Sequence, residues 1–185
     1  MSSPVRIGNA QGFWGDSVDA PARLVAQAAD LDYLTLDYLA EVSLSILAMQ
    51  RHKDPTVGYA RDFIDVVRSL TPVWKSGRKL RLIANAGGLN PSGCAEACIA
   101  ALREAGCTGL TIGIVGGDDV LPLMRASLAS GEHLDEFKNI ESDAPLSTIA
   151  DSLFTAHAYI GAEPVVQALQ PVSYTHLTLP TKRIV

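Results

Sequence analysis

Two carboxylates, Asp37 and Glu41, follow the short apolar run Tyr33 to Leu36 and are the side chains best placed for acid–base chemistry. Asp37 ends that run and precedes a tyrosine, a position that helix capping explains poorly, so a ligand-facing role falls to Asp37 or Glu41. Asn9, Asn85 and Asn90 supply neutral amides that both donate and accept hydrogen bonds. Gly8, Gly12 and Gly15 would let backbone amides approach a cofactor or anion at a helix N-terminus, as would Gly87 and Gly88 ahead of an Asn90-capped helix. Their spacing, G-x-x-x-G-x-x-G, is not the dinucleotide fingerprint, and no G-x-x-x-x-G-K-[ST] occurs, so tight turns are an equal explanation and the cofactor is left unassigned.

Asp118 and Asp119 follow a Gly-Gly pair and are candidate ligands for a hard divalent ion such as Mg²⁺; helix N-capping is the alternative for both, and for Asp16. None of these loops contains lysine or arginine, so a bare anion would meet net repulsion unless a cation intervened. Other reactive residue types form no set. Cys94 and Cys98 lie four apart on one helical face without a histidine to complete a zinc site, and read as small core residues. His157 falls in an alanine-rich stretch expected to be helical, His52 and His133 in polar stretches, and no Ser-His-Asp or Cys-His arrangement emerges. Phe13 and Trp14 are expected to lock a glycine loop onto the protein rather than stack on a ligand.

The elements that must carry these residues alternate short apolar runs with longer helical patterns. Strands are expected at Val5 to Asn9, Tyr33 to Leu36, Leu80 to Ala84 and Leu110 to Val115. Helices are expected after Asp16 or Ser17, with Leu24, Val25 and Ala28 inward; after Asp37, with Leu39, Val42, Ile46 and Met49 inward; and after Asp54-Pro55, ending near Leu70 before Thr71-Pro72. Asn90-Pro91 opens a further helix from Ser92 to about Glu104, stopped by Gly106. A short helix follows Asp119, residues 131–145 read as a surface loop, and Leu146 to Ile160 reads as helix. The sum is an α/β fold, a layered and mostly parallel sheet with flanking helices, Rossmann-like. Ligands of such sheets bind beyond the carboxyl ends of the strands, where Gly8, Gly12, Asp37, Asn85, Gly87, Asn90 and Asp118 should line one crevice.

Composition narrows the function. The chain has 185 residues, 48% hydrophobic and 19% charged, with a formal net charge of -5, which fits one globular domain and offers no basic stripe for nucleic acid. Three cysteines argue against a secreted disulfide framework, and neither a leader-like N-terminus nor a membrane-length apolar run is present, so a cytoplasmic location is expected.

Three blocks carry a resemblance. Ile7-Gly8-Asn9-Ala10-Gln11-Gly12-Phe13-Trp14-Gly15-Asp16, Asp32-Tyr33-Leu34-Thr35-Leu36-Asp37-Tyr38-Leu39-Ala40-Glu41 and Ala84-Asn85-Ala86-Gly87-Gly88-Leu89-Asn90-Pro91 together resemble the N-terminal signatures of the acyclic terpene utilisation (AtuA) family. The resemblance spans about residues 5 to 170. It implies a part in breaking down citronellol- or geraniol-type terpenoids or related branched acids, with a small-molecule substrate, an acyl-coenzyme A among the candidates, and it implies no particular reaction. A non-catalytic subunit that binds a ligand or partner is the alternative. Residues 172–185 resemble a translated sequencing adapter, so 1–171 is expected to be an incomplete domain, its C-terminal part missing and the strand after Ile160 with it. The tail is accordingly expected to have no place in the fold.

Overall fold

The computed structural model describes residues 4–131 and 137–170, and the backbone of 176–180. Five parallel strands, β1 (Ile7–Gln11), β2 (Tyr33–Leu36), β3 (Arg81–Ala84), β4 (Thr111–Val115) and β5 (His176–Pro180), form one sheet in the order β1-β2-β3-β5-β4. The helices are α1 (Ala20–Gln27), α2 (Glu41–Lys53), α3 (Phe63–Lys75), α4 (Pro91–Glu104), α5 (Leu121–Ser130) and α6 (Glu163–Leu169), with a 3₁₀ turn at Leu146–Ser152. This is a layered α/β architecture of the Rossmann-like kind. No described helix is long and apolar enough to cross a membrane.

Side chains alternate across a strand, and here the alternation divides the sheet into two unlike faces. Gly8, Leu34, Leu36, Leu82 and Ala84 are buried. On the buried side the core is built with Phe63, Val66, Val67, Leu70 and Trp74 of α3 and with Cys94, Ala95, Cys98, Ala101 and Leu102 of α4. Gly8 is a packing position: a Cβ there would stand 2.8 Å from Leu31 Cδ1 and 3.0 Å from Leu24 Cδ2. The alternate residues, Ile7, Asn9, Thr35 and Ile83, are exposed or half-buried. A parallel sheet is ordinarily covered on both faces, so this open side is where a cleft can form.

Several elements depart from the sequence reading, each for a local reason. Pro72 does not end α3: the carbonyl of Arg68, deprived of its helical donor, accepts instead from Thr71 Oγ1 at 2.8 Å, and the helix runs on to bury Trp74, whose indole N–H reaches Leu80 O at 3.0 Å. Helix α1 begins at Ala20 with Pro21 in its first turn, because Asp16 is occupied elsewhere. The stripe expected to face inward from α2 faces out: Val42 and Met49 are 65% and 63% exposed, whereas Ser43, Leu47 and Ala48 are buried. Leu47 sets that rotation by packing on Gly88, where a Cβ would lie 2.5 Å from Leu47 Cδ1 and 2.8 Å from Gly58 O.

Leu146 to Ile160 is not one helix. After the 3₁₀ turn the chain is extended, and Val120 N–H donates to Ala156 O (3.0 Å) and Ala158 N–H to Asp118 O (2.8 Å), drawing backbone groups out of any helix. The tail also departs from expectation. Its residues His176–Pro180 lie between β3 and β4 and pair in parallel with both, so the slot expected to be empty holds a strand. Among the described residues β3 and β4 are joined only through it. The surface-loop reading of 131–145 falls partly on 132–136, which lie outside the described residues.

Candidate functional site

At the carboxyl ends of β1, β2 and β3, on the open face, a cleft of about 220 Å³ is lined by Asn9, Thr35, Leu36, Asp37, Ile83, Ala84, Asn85 and Val165. Parallel register makes this convergence inevitable, since Asn9 pairs with Thr35 and Leu36 with Ala84, and each following loop leaves from the same edge. Asn85 is the linchpin. Its Nδ2 donates to Asp37 Oδ1 at 2.6 Å, and its Oδ1 accepts from the Tyr38 amide at 2.6 Å. Asp37 Oδ1 also accepts from Leu39 N–H at 3.2 Å, and the Asp37 amide donates to Gln11 O at 2.9 Å. One carboxylate oxygen is therefore fixed, while Oδ2 has no hydrogen bond to a described residue. The Asn9 side chain likewise has none. The lining holds one carboxylate, two amides and a hydroxyl, with no lysine or arginine.

Behind the cleft a buried polar chain fixes the loops. Tyr38, 1% exposed, donates its hydroxyl to Gln11 Oε1 at 2.9 Å, and Gln11 Nε2 reaches Asp16 O and Ser17 O, both at 3.3 Å. Burial, reinforced by the negative charge of Asp62, pushes the Tyr38 hydroxyl far above its ordinary value, so it remains a donor at any physiological pH. Trp14 donates its indole N–H to Asp62 Oδ1 at 3.0 Å, locking the first glycine loop onto the start of α3. Neither Gln11 nor Tyr38 was singled out from sequence. Both lie within the family-like blocks, yet nothing in residue type says that a glutamine on a strand is buried.

The other candidates are placed differently. The amides of Gly12 and Phe13 both donate to Asp16 Oδ2, at 2.9 and 3.1 Å, so the first glycine loop is closed on its own carboxylate. Gly15, at φ 118°, sits in that turn. Gly87 and Gly88 are buried beneath residues 56–60, with Leu89 N–H donating to Gly58 O at 2.8 Å. Asn90 caps α4 by accepting from Gly93 N–H at 3.0 Å, and its Nδ2 donates to Thr56 O and Val57 O. These residues shape the site's frame and do not line the cleft. Glu41 is exposed at the start of α2 and is not among the lining residues.

Asp118 and Asp119 follow β4, two strand positions from β3. Asp119 Oδ1 accepts from Leu121 N–H at 3.1 Å in a tight turn just ahead of α5, whose N-cap is Val120, while Asp118 Oδ2 lies 2.9 Å from His157 Nδ1. Among the described residues no group of three His, Cys, Asp or Glu side chains is gathered as a metal set. All three cysteines are free and buried. A hydrogen bond with Cys98, and burial after it, drive the Cys94 thiol far up, which makes it a core group and not a nucleophile.

Thr35, Ile83 and Val165 are lining residues that the sequence reading did not single out as site candidates. The first two were within reach, because period-two alternation puts Thr35 on the same face of the sheet as Asn9, its register partner. Val165 was not, since it comes from a helix more than 70 residues further on.

Comparison with known proteins gives one finding. The family model described as acyclic terpene utilisation family protein AtuA matches residues 5–172. No curated protein and no solved structure matches the chain.

Proposed function

The chain belongs to the acyclic terpene utilisation family, and from that premise we propose that the Asn9–Asp37–Asn85 cleft is a catabolic active site that takes the acyl end of an acyclic terpenoid thioester. Asp37 supports this most directly: it is a carboxylate with one oxygen anchored by Asn85 and Leu39 and the other free to take a proton. The reaction class is proton transfer at the carbon next to a thioester carbonyl. Asp37 Oδ2 accepts the proton, and the Asn9 amide stabilises the enolate oxygen that develops. At 220 Å³ the cleft is smaller than the roughly 300–1,000 Å³ of sites that enclose a whole drug-sized ligand, so it suits a reacting end and leaves a coenzyme A tail outside.

A neutral carbonyl suits this lining better than a free carboxylate, which would face Asp37 without a cation to offset it. Calorimetric titration with the N-acetylcysteamine thioester of citronellic acid and with citronellic acid itself separates the two. The thioester should bind about tenfold more tightly or better. Equal affinity, or preference for the free acid, would remove the proposed role of Asp37.

One observation favours a second reading, a non-catalytic partner-binding subunit: Val42, Ile46 and Met49 form an exposed apolar stripe along α2. The tail reading also stands as a proposal. Residues 172–185 are read as non-native sequence, in keeping with a family match that runs to residue 172.

A further inference from the structure

Helix α6 supplies the one cleft wall that does not belong to the strand ends and their loops, and it is held unlike the others. It has no buried residue, yet its Val165 closes the cleft beside Asp37 and Asn85. The chain reaches it through Gly161, which sits at φ 72°, just after Tyr159, which is 99% exposed. Before that turn, residues 153–158 form a strap on the β4–α5 connection. Two backbone hydrogen bonds hold it there, Val120 N–H to Ala156 O and Ala158 N–H to Asp118 O. Phe154 adds an edge contact with His52, and Arg125 Nη2 approaches Leu153 O at 3.5 Å.

The side-chain anchor is the contact of His157 Nδ1 with Asp118 Oδ2 at 2.9 Å, both side chains being only 12% and 15% exposed. Their outer atoms, His157 Nε2 and Asp118 Oδ1, are enclosed without a hydrogen-bond partner among the described residues. Each therefore depends on the other, and neither is well accommodated alone.

We propose that α6 is a movable wall of the Asn9–Asp37–Asn85 cleft, hinged at Gly161 and positioned by the Asp118–His157 anchor of the strap. The inference rests on the reading of that cleft as the substrate site, which it deepens by assigning the element that gates it. His157 and Asp118 are positioning residues here, two strands away from the cleft and outside its lining.

The native thiols, Cys94, Cys98 and Cys107, are all buried, so a cysteine introduced by Val165→Cys reports alone on the wall when reacted with Ellman's reagent. Adding His157→Ala should speed its labelling about tenfold, the factor expected from losing one charge-assisted hydrogen bond. Asp118→Asn, which keeps an acceptor, should give an intermediate rate and serves if His157→Ala fails to fold. A cysteine at Tyr159→Cys should label fast in every background. An unchanged rate at position 165 would overturn the proposal. So would a parallel rise in reactivity of the three native thiols, since it would mean that the pair supports the whole fold and not one wall. The labelling needs no ligand, so its failure and the failure of the cleft as a substrate site are separate results.

Discussion

Asp37→Asn should slow solvent-deuterium exchange at the α-carbon of the citronellic acid N-acetylcysteamine thioester by about 10²–10⁴-fold, the usual contribution of a positioned general base. The melting temperature should hardly move. Asparagine keeps an oxygen to accept from Asn85 Nδ2 and from the Leu39 amide, and Asp37 is an exposed side chain, so little packing changes. What is lost is the charge at Oδ2 and with it the capacity to take a proton. Exchange followed by proton NMR in D₂O, with a thermal melt on the same sample, separates lost chemistry from lost structure. Exchange that survives the substitution would take Asp37 out of the reaction.

Phe63→Ala should cost about 3–5 kcal/mol of stability and lower Tm by roughly 10 °C. Phe63 is fully buried where α3 starts, and its ring meets Tyr38 edge-on, with centroids 5.7 Å apart at 81°. Removing it opens a void behind Tyr38, whose amide is held by Asn85 and whose hydroxyl is held by Gln11. Substrate affinity should therefore fall with stability even though Phe63 is not part of the cleft lining. Urea unfolding gives the first number and thioester titration the second. A loss below about 1 kcal/mol would mean that the core behind the cleft collapses around the gap more completely than buried aromatic sites usually do.

The link between core and cleft also explains what could be read from the chain beforehand. Four strands and the Asn90-Pro91 helix start were legible because β-rich runs and capping chemistry are local signals. The meeting of Asn9, Asp37 and Asn85 followed from topology alone, since residues that follow parallel strands emerge at one edge. Effects decided by distant partners were not legible. The apolar pattern of α2 has no single strong face, and Leu47 meeting Gly88 chose the orientation that leaves Val42 and Met49 outside. Thr71 rescued the helix that Pro72 would otherwise have ended. His157 looked like part of a helix because its neighbours are alanines, but pairing with the residues after β4 overrode that propensity. Gly12 looked like an anion cradle until Asp16, four residues on, proved to hold its amide. Glycine permits such a cradle and a closed turn alike, and sequence does not say which partner arrives.

The central claim, that ligand is taken at the carboxyl edge of β1, β2 and β3, is tested most directly by titrating the ¹⁵N-labelled chain with the same thioester and mapping the amide shifts. The side-chain amides of Asn9 and Asn85 and the backbone amides of Asp37 and Tyr38 should move together along one binding curve, with Gly12, Gly87 and Gly88 nearly still. Shifts centred on those glycines or on the Val42–Ile46–Met49 face, with Asn9 and Asn85 unmoved, would contradict it.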